Sequence, residues 1–105
     1  MRRKPLERTT KQQVKDLLDP RKPDLYYNMP VPSGYGESQL DFVGCYRGLF
    51  FTIETKREGK FPTGPQERII DAVRDAGGRV FVIQGGPNER YGLEELEHWL
   101  LSLEG

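Results

Sequence analysis

The sequence predicts a single α/β domain in which a mixed sheet is flanked by helices. Residues 40–60 (LDFVGCYRGLFFTIETKREGK) contain two strand-like runs around an Arg-Gly turn, and residues 79–84 (RVFVIQ) are apolar enough for a central strand. Segments with helical spacing of apolar residues precede, separate and follow these strands. The predicted order is α-β-β-β-α-β-α, and 105 residues leave room for one domain.

The N-terminal quarter predicts a basic arm, a helix and a strand. We expect residues 1–8 to be a flexible basic arm and residues 9–105 to form the domain. A helix that starts at Thr9 or Thr10 and runs to Leu18 is predicted by the apolar stripe of Val14, Leu17 and Leu18. Pro20 prevents the helix from continuing, and the aromatic pair in residues 24–29 (DLYYNM) favours a strand.

The middle of the chain predicts a loop followed by a hairpin. The Pro and Gly content of residues 30–38 indicates a loop, whose Gly-Tyr-Gly lacks the helix start of a phosphate-binding loop. Two strands follow at residues 39–44 and 49–56, and Arg47-Gly48 is the predicted turn between them. Arg-Gly is a less committed turn than Asn-Gly, so other loop lengths remain open.

The second half predicts a helix, a strand and a last helix. Thr63 and Gln66 match a capping box, and the helix that they begin should end at Gly77-Gly78. After the strand at 79–84, a loop at residues 85–92 leads to a helix over 93–103. The apolar face of that helix is formed by Leu93, Leu96, Leu100 and Leu103.

The composition excludes several kinds of site. The single Cys45 excludes an internal disulfide and a Cys-based zinc cluster, and the single His98 excludes a His-rich metal site. No apolar run is long enough for a membrane span, and the start lacks a signal-peptide segment, so we expect an intracellular, cytoplasmic protein. The apolar fraction is slightly below average, so a partner subunit would add to a thin core.

Charge is distributed unevenly although the net charge is zero. Residues 1–22 carry eight Lys or Arg, whereas residues 85–105 carry five Glu and one Arg. The pattern fits a nucleic-acid-binding front, and it fits equally two solvated surfaces with no ligand.

Asp41 and Glu54 place two carboxylates inside the otherwise apolar hairpin. A two-residue turn would set Asp41 directly opposite Glu54, with Cβ atoms about 5 Å apart. The two charges would repel each other and would be poorly hydrated, and a divalent cation resolves both problems. The inference depends on register: a shift by two residues keeps the carboxylates diagonal, but a slip by one sends them to opposite faces.

Lys56 should lie on the same strand face as Glu54, because strand side chains alternate. An ammonium group beside a bound cation suits the orientation or activation of a water. Mg²⁺ accepts one or two carboxylates and leaves positions for phosphate oxygens. Together these parts describe phosphodiester hydrolysis, whereas Glu-x-Lys on an edge strand is by itself more often a solvated ion pair.

Three segments, GYGESQLDFVGCYRG, IETKREGKFPTGPQ and AGGRVFVI, resemble the VRR-NUC (virus-type replication-repair nuclease) domain of the PD-(D/E)XK nuclease superfamily, especially its small stand-alone phage form. The resemblance covers roughly residues 14–83. It implies a restriction-endonuclease-like core and a Mg²⁺- or Mn²⁺-dependent endonuclease that acts on branched DNA, such as Holliday-junction-like or flap substrates. It also implies a homodimer in the cytoplasm, or in the host cytoplasm for a phage protein.

The resemblance implies a role for each residue of the motif. Asp41 and Glu54 correspond to metal ligands, and the backbone carbonyl of Thr55 to a third. Lys56 corresponds to the lysine beside the attacking water, and Gln66 to the glutamine near the active site. For Gln66, a purely structural role in the capping box remains open.

Two positions depart from the family pattern. Leu40 precedes Asp41 where the family has Pro. Lys11 stands where the family often has a Glu on the first helix that reaches the metal, so one metal and two metals both remain open.

The basic residues are the expected contacts to DNA phosphates. Besides the arm, they are Arg21, Lys22, Arg57 and Lys60, although solvated loop charges are an equally good interpretation of the last two. Two other functions compete with a nuclease. One is a DNA-junction binding module that has the same fold and does not cut, and the other is a structural protein in which the charged hairpin residues form a surface ion network.

Overall fold

The computed structural model describes residues 7–31, 39–57, 59–85 and 92–104. The elements are α1 (Glu7–Leu18), a 3₁₀ turn (Asp19–Arg21), β1 (Leu25–Asn28), β2 (Phe42–Tyr46), β3 (Leu49–Lys56), α2 (Gly64–Asp75), β4 (Arg79–Gln84) and α3 (Leu93–Ser102). The predicted order of helices and strands is therefore confirmed. Most of the predicted arm and parts of the loops at 30–38 and 85–92 lie outside the described residues.

The four strands form one mixed sheet in the order β1-β2-β3-β4. The first three are antiparallel neighbours, and β4 runs parallel to β3 because α2 forms the crossover between them. The hairpin has the register that a two-residue turn requires, with Tyr46 opposite Leu49 and Phe42 opposite Ile53. Arg47 and Gly48 have φ values of 53° and 79°, which are the positive angles of a type I′ hairpin turn.

The helices cover the two faces of the sheet unequally. Phe51 and Ile53 point to the side of α1 and α3, where Trp99 packs against the rings of Phe51 and Phe81. This larger core consists of Val14, Leu18, Leu25, Phe42, Tyr46, Phe51, Ile53, Phe81, Ile83, Leu93, Leu96, Trp99 and Leu100. A smaller cluster beneath α2 consists of Leu40, Ile70 and Val80. Because strand side chains alternate, Glu54 belongs to the α2 face.

Two elements, α1 and β2, differ from the prediction by two or more residues at a boundary. Helix α1 begins at Glu7, before the predicted start at residue 9 or 10, because Glu and Arg are good helix formers and nothing in this pair stops the helix. Strand β2 covers Phe42–Tyr46 and not residues 39–44, because pairing runs up to the tight turn at one end. At its other end β2 stops just after Asp41, and this boundary creates the site described below.

No helix within the described ranges is both long enough and apolar enough to cross a membrane.

Candidate active site

The charged residues meet where β3 extends past the end of β2. Pairing between these strands stops at Phe42 and Ile53, whereas β3 stays paired with β4 as far as Lys56 and Gln84. The backbone groups of β3 beyond Ile53 that point toward β2 therefore have no strand partner there. The candidate site lies at this edge of β3, which is not paired with β2.

Asp41 supplies the missing partner through its side chain. Its Oδ2 accepts hydrogen bonds from the backbone N–H of Thr55 at 2.8 Å and from the Thr55 hydroxyl at 2.6 Å. The Asp41 carboxylate is therefore held by hydrogen bonds to Thr55, the residue after Glu54. The sequence did not indicate this role of the Thr55 hydroxyl, because the alternation of strand side chains places Thr55 on the face opposite Glu54.

Glu54 is almost completely buried, with 2% of its surface exposed. Its Oε2 accepts a hydrogen bond from Nε2 of Gln66 at 2.7 Å and lies 3.1 Å from Nζ of Lys56. Its Oε1 is buried without a hydrogen-bond partner among the described residues. Burial raises the pKa of the Glu54 carboxyl above its ordinary value, and the negative charge of Asp41 raises it further. Lys56 and the backbone N–H of Asp41 lower this pKa, but they do not cancel the rise.

Gln66 serves the helix and the site with different atoms. Its Oε1 accepts a hydrogen bond from the backbone N–H of Thr63 at 2.9 Å, and the Thr63 hydroxyl accepts one from the Gln66 backbone at 3.4 Å, which together form a capping box. The remaining amide nitrogen donates to Glu54. Helix capping therefore fixes the orientation of the group that holds Glu54, and the two interpretations of Gln66 are compatible.

Lys11 reaches the site from α1. Its Nζ lies 3.7 Å from Oδ1 of Asp41, and the two side chains are 32% and 22% exposed. Each carboxylate of the site thus has one lysine beside it, with Lys11 next to Asp41 and Lys56 next to Glu54. The first helix therefore brings a positive charge to the pair of acids.

The basic residues expected to bind DNA fall into two groups. Arg57 and Lys60 are exposed on the segment that follows Lys56 at the end of β3. Arg21 and Lys22 precede the start of β1, which pairs with Tyr46 at the hairpin turn. Five residues of strand separate that end of the sheet from Asp41, a distance of about 17 Å.

Arg21 is largely used inside the fold. Its Nε donates to Oε1 of Glu104 at 2.6 Å, its guanidinium also donates to the carbonyl of Leu17, and only 15% of the side chain is exposed. Lys22 pairs with Asp19 at 3.3 Å and lies over the ring of Tyr27, but half of its side chain is exposed. Arg21 therefore links α1 to the C-terminal end of the chain.

The oxygen atoms of the site suit a hard divalent cation. Within the described ranges, no three His, Cys, Asp or Glu side chains come together as a metal site. Mg²⁺, however, needs only one or two carboxylates. The unpartnered Oε1 of Glu54 is a buried acceptor that a cation would satisfy. The Lys56 carbonyl accepts a hydrogen bond from Gly85 on the β4 side. Because backbone groups alternate along a strand, the Thr55 carbonyl faces the other side, where the Thr55 N–H bonds Asp41.

Comparison with known proteins identifies the fold. No protein-family model matches the chain, and no curated protein sequence matches it significantly. A solved structure of Archaeoglobus fulgidus Hjc, a Holliday junction resolvase from an archaeal hyperthermophile, aligns with a TM-score of 0.51 and 18% sequence identity over 75% of this chain and 70% of that one. The chain has a restriction-endonuclease-like fold. This agrees with the fold expected from the sequence.

The raised pKa of Glu54 predicts how stability depends on pH in the metal-free protein. A carboxyl whose pKa is higher in the folded state stabilises that state below the unfolded pKa, and this contribution is lost as the pH rises through the folded value. We therefore expect Glu54→Gln to become more stable than wild type toward neutral pH, and the difference to shrink near pH 4.5, the ordinary value. Urea unfolding in EDTA at several pH values measures it.

The matched control for this experiment is Glu67→Gln, which removes the same charge from an exposed position on α2. Its stability difference from wild type should change little over the same pH range. A Glu54→Gln difference that is equally flat would contradict the burial argument.

Proposed function

We propose that this chain is a metal-dependent endonuclease that hydrolyses phosphodiester bonds in branched DNA, such as Holliday-junction-like or flap substrates. The observation that carries the proposal is the buried Glu54 near Asp41 and Lys56, whose Oε1 has no hydrogen-bond partner among the described residues. The fold is shared with a protein described as a Holliday junction resolvase. Membership of the VRR-NUC family and a phage origin rest on the sequence resemblance.

Mg²⁺ or Mn²⁺ is the cofactor of this proposal. The ion would be held by three oxygen atoms: Oε1 of Glu54, Oδ1 of Asp41 and the backbone carbonyl oxygen of Thr55. When bound, the ion would acidify a water and stabilise negative charge on the phosphate.

The protein's own groups would position the reactants. Lys56, fixed by Glu54 at 3.1 Å, would hold the attacking water beside the phosphate through its ammonium hydrogens. Gln66 would keep Glu54 in one orientation from the second layer around the ion. Arg57 and Lys60 would neutralise phosphates next to the site, so DNA binding should weaken with salt.

Farther from the site, Lys22 and the basic arm would bind DNA phosphates. Arg21 would contribute less, because it is already paired with Glu104. A homodimer in the cytoplasm is the assembly and location that the resemblance implies. A second copy would have apolar surface to cover at the hairpin tip, where Leu49 and Phe50 are 43% and 46% exposed. These two residues line a wide groove of about 780 Å³. Among the residues that the structure describes, the wall of this groove contains no charged side chain, so the groove is unsuited to phosphates.

A non-cleaving junction-binding module is the second candidate function. The pairing of Lys11 with Asp41 favours it, because an ammonium group beside this carboxylate lowers the affinity for a cation. The third interpretation, a surface ion network, does not suit a glutamate that is 2% exposed.

The decisive prediction concerns Glu54→Gln, which keeps the side-chain volume and the acceptor for Gln66. A four-way junction, a flap and a plain duplex of the same sequence are incubated with wild type and variant, with Mn²⁺ or EDTA. Wild type should cut the branched substrates only with metal, and the variant should be slower by about 100-fold or more, since even second-layer changes around a metal cost 10- to 100-fold. Glu67→Gln is the control and should cut normally.

Two outcomes reject this nuclease proposal. Equal cutting by wild type and Glu54→Gln would remove Glu54 from the reaction. Tight binding of junctions in EDTA, with no cutting in Mn²⁺, would identify the binding module.

Gln66 and Thr63 separate capping from a role in the reaction. Thr63→Ala removes only the capping hydroxyl and should cost about 1 kcal/mol of stability. Gln66→Ala also removes the bond to Glu54, so we expect cleavage to fall by about 10- to 100-fold, against a few-fold for Thr63→Ala. Single-turnover cleavage rates, with urea unfolding in parallel, measure both effects. Similar rates for the two variants would reduce Gln66 to a capping residue.

Lys11 should limit the site to one divalent ion. Lys11→Glu places a third carboxylate beside Asp41, so calorimetric titration with Mn²⁺ should give one ion for wild type and a second ion, or at least about tenfold tighter binding, for the variant. Lys15→Glu makes the same charge change one helical turn away and should leave stoichiometry and affinity nearly unchanged. Two ions in wild type, or an equal effect of Lys15→Glu, would contradict this role.

A further inference from the structure

Phe61 is an aromatic residue with an unusual position. It lies between β3 and α2, and 72% of its surface is exposed. A single exposed apolar side chain is ordinary on a protein surface. The features that distinguish Phe61 are the restraints on its backbone, the cations that accompany it and its closeness to Glu54.

The backbone on both sides of Phe61 is fixed by hydrogen bonds. The carbonyl of Lys60 accepts from the side chain of Gln84, and the Lys60 N–H donates to the carbonyl of Arg57 at 3.0 Å. On the other side, the N–H of Thr63 donates to Gln66 at 2.9 Å. The intervening proline further restricts the conformation of Phe61. The backbone that carries the ring is therefore already restrained, so less conformational entropy would be lost when the ring binds a ligand.

The segment also places Phe61 close to the proposed reaction. Thr63, two residues on, is bonded to Gln66, whose Nε2 is 2.7 Å from Glu54. Two residues of extended chain span at most about 7 Å. Since bases in a DNA strand are about 3.4 Å apart, the ring can lie within a few nucleotides of a phosphate at Glu54.

The chemistry of this surface suits unpaired nucleotides. Lys60 and Arg57 are exposed on the same short segment and attract phosphates. An exposed aromatic ring beside basic residues suits a nucleic-acid strand, which has a negatively charged backbone and bases with flat apolar faces. Stacking of bases on aromatic side chains is the common mode of binding to single strands. A paired duplex hides those faces, whereas flaps and strand junctions expose bases.

We propose that Phe61 stacks on an unpaired base next to the bond that is cut, while Lys60 and Arg57 bind the adjoining phosphates. This inference rests on the proposed function and names what would make the site select branched DNA. Phe61 acts on substrate selection and holds no metal or water.

The test measures binding in EDTA, so it does not require cutting. Wild type, Phe61→Ala, Phe61→Leu and Phe61→Trp are titrated by anisotropy against a flap with an unpaired arm and a duplex of equal length. We expect Phe61→Ala and Phe61→Leu to weaken flap binding by about 5- to 150-fold, Phe61→Trp to bind like wild type, and duplex binding to change less than about twofold. A 2-aminopurine in the unpaired arm should report stacking in wild type and in Phe61→Trp alone.

Lys60→Ala is the matched control, because it removes a charge and keeps the ring. It should weaken flap and duplex binding alike and reduce the salt slope by about one, whereas Phe61→Ala should leave that slope unchanged. All variants change exposed residues and should unfold within about 0.5 kcal/mol of wild type.

The outcomes separate this inference from the proposed function. If Phe61→Ala binds the flap as wild type does and Mn²⁺ still triggers cutting, the stacking role is wrong and the nuclease stands. Normal flap binding by Phe61→Leu overturns stacking in favour of a plain apolar contact. If wild type binds no branched DNA at all, both proposals fail.

Discussion

The site depends on one structural constraint, which is that β3 continues past the end of β2. The free edge needs a hydrogen-bond acceptor for the Thr55 N–H, and Asp41 provides it at 2.8 Å. The same extension places Glu54 on the α2 side of the sheet, where its Oε1 has no hydrogen-bond partner in the part of the chain that the structure describes. A buried carboxylate of this kind is unfavourable for a purely structural protein, because burial and the nearby Asp41 both raise its pKa. The proposed cation, bound between the two acids, would make this arrangement favourable.

The proposed cation site and the fold would use the same hydrogen bonds. The capping box that begins α2 also orients the amide that holds Glu54. The parallel pairing of β3 with β4 fixes Lys56 beside it. The groups that hold Glu54 and Lys56 in place thus belong to elements that the fold needs for stability, which would keep the ligands of the proposed ion rigid at little extra entropic cost.

Much of this could be predicted from the sequence where local rules decide. The turn at Arg47-Gly48 fixed the hairpin register, and the spacing of Thr63 and Gln66 predicted the cap. Local rules do not predict contacts between distant segments. Nothing in the sequence indicated that Arg21 pairs with Glu104, 83 residues away. For the contact between Lys11 and Asp41, only the family resemblance indicated that position 11 lies near the acids. The turn of Asp41 toward Thr55 depends on where β2 ends, which periodicity alone does not determine.

The most direct test of the central claim is an anomalous difference map from crystals grown with Mn²⁺, collected at a wavelength where manganese scatters anomalously. We expect one peak at about 2 Å from Oε1 of Glu54 and from an oxygen of Asp41, with the Thr55 carbonyl as the third protein ligand. A peak elsewhere in the molecule, or an empty site in which Lys11 remains beside Asp41 at saturating Mn²⁺, would contradict the account.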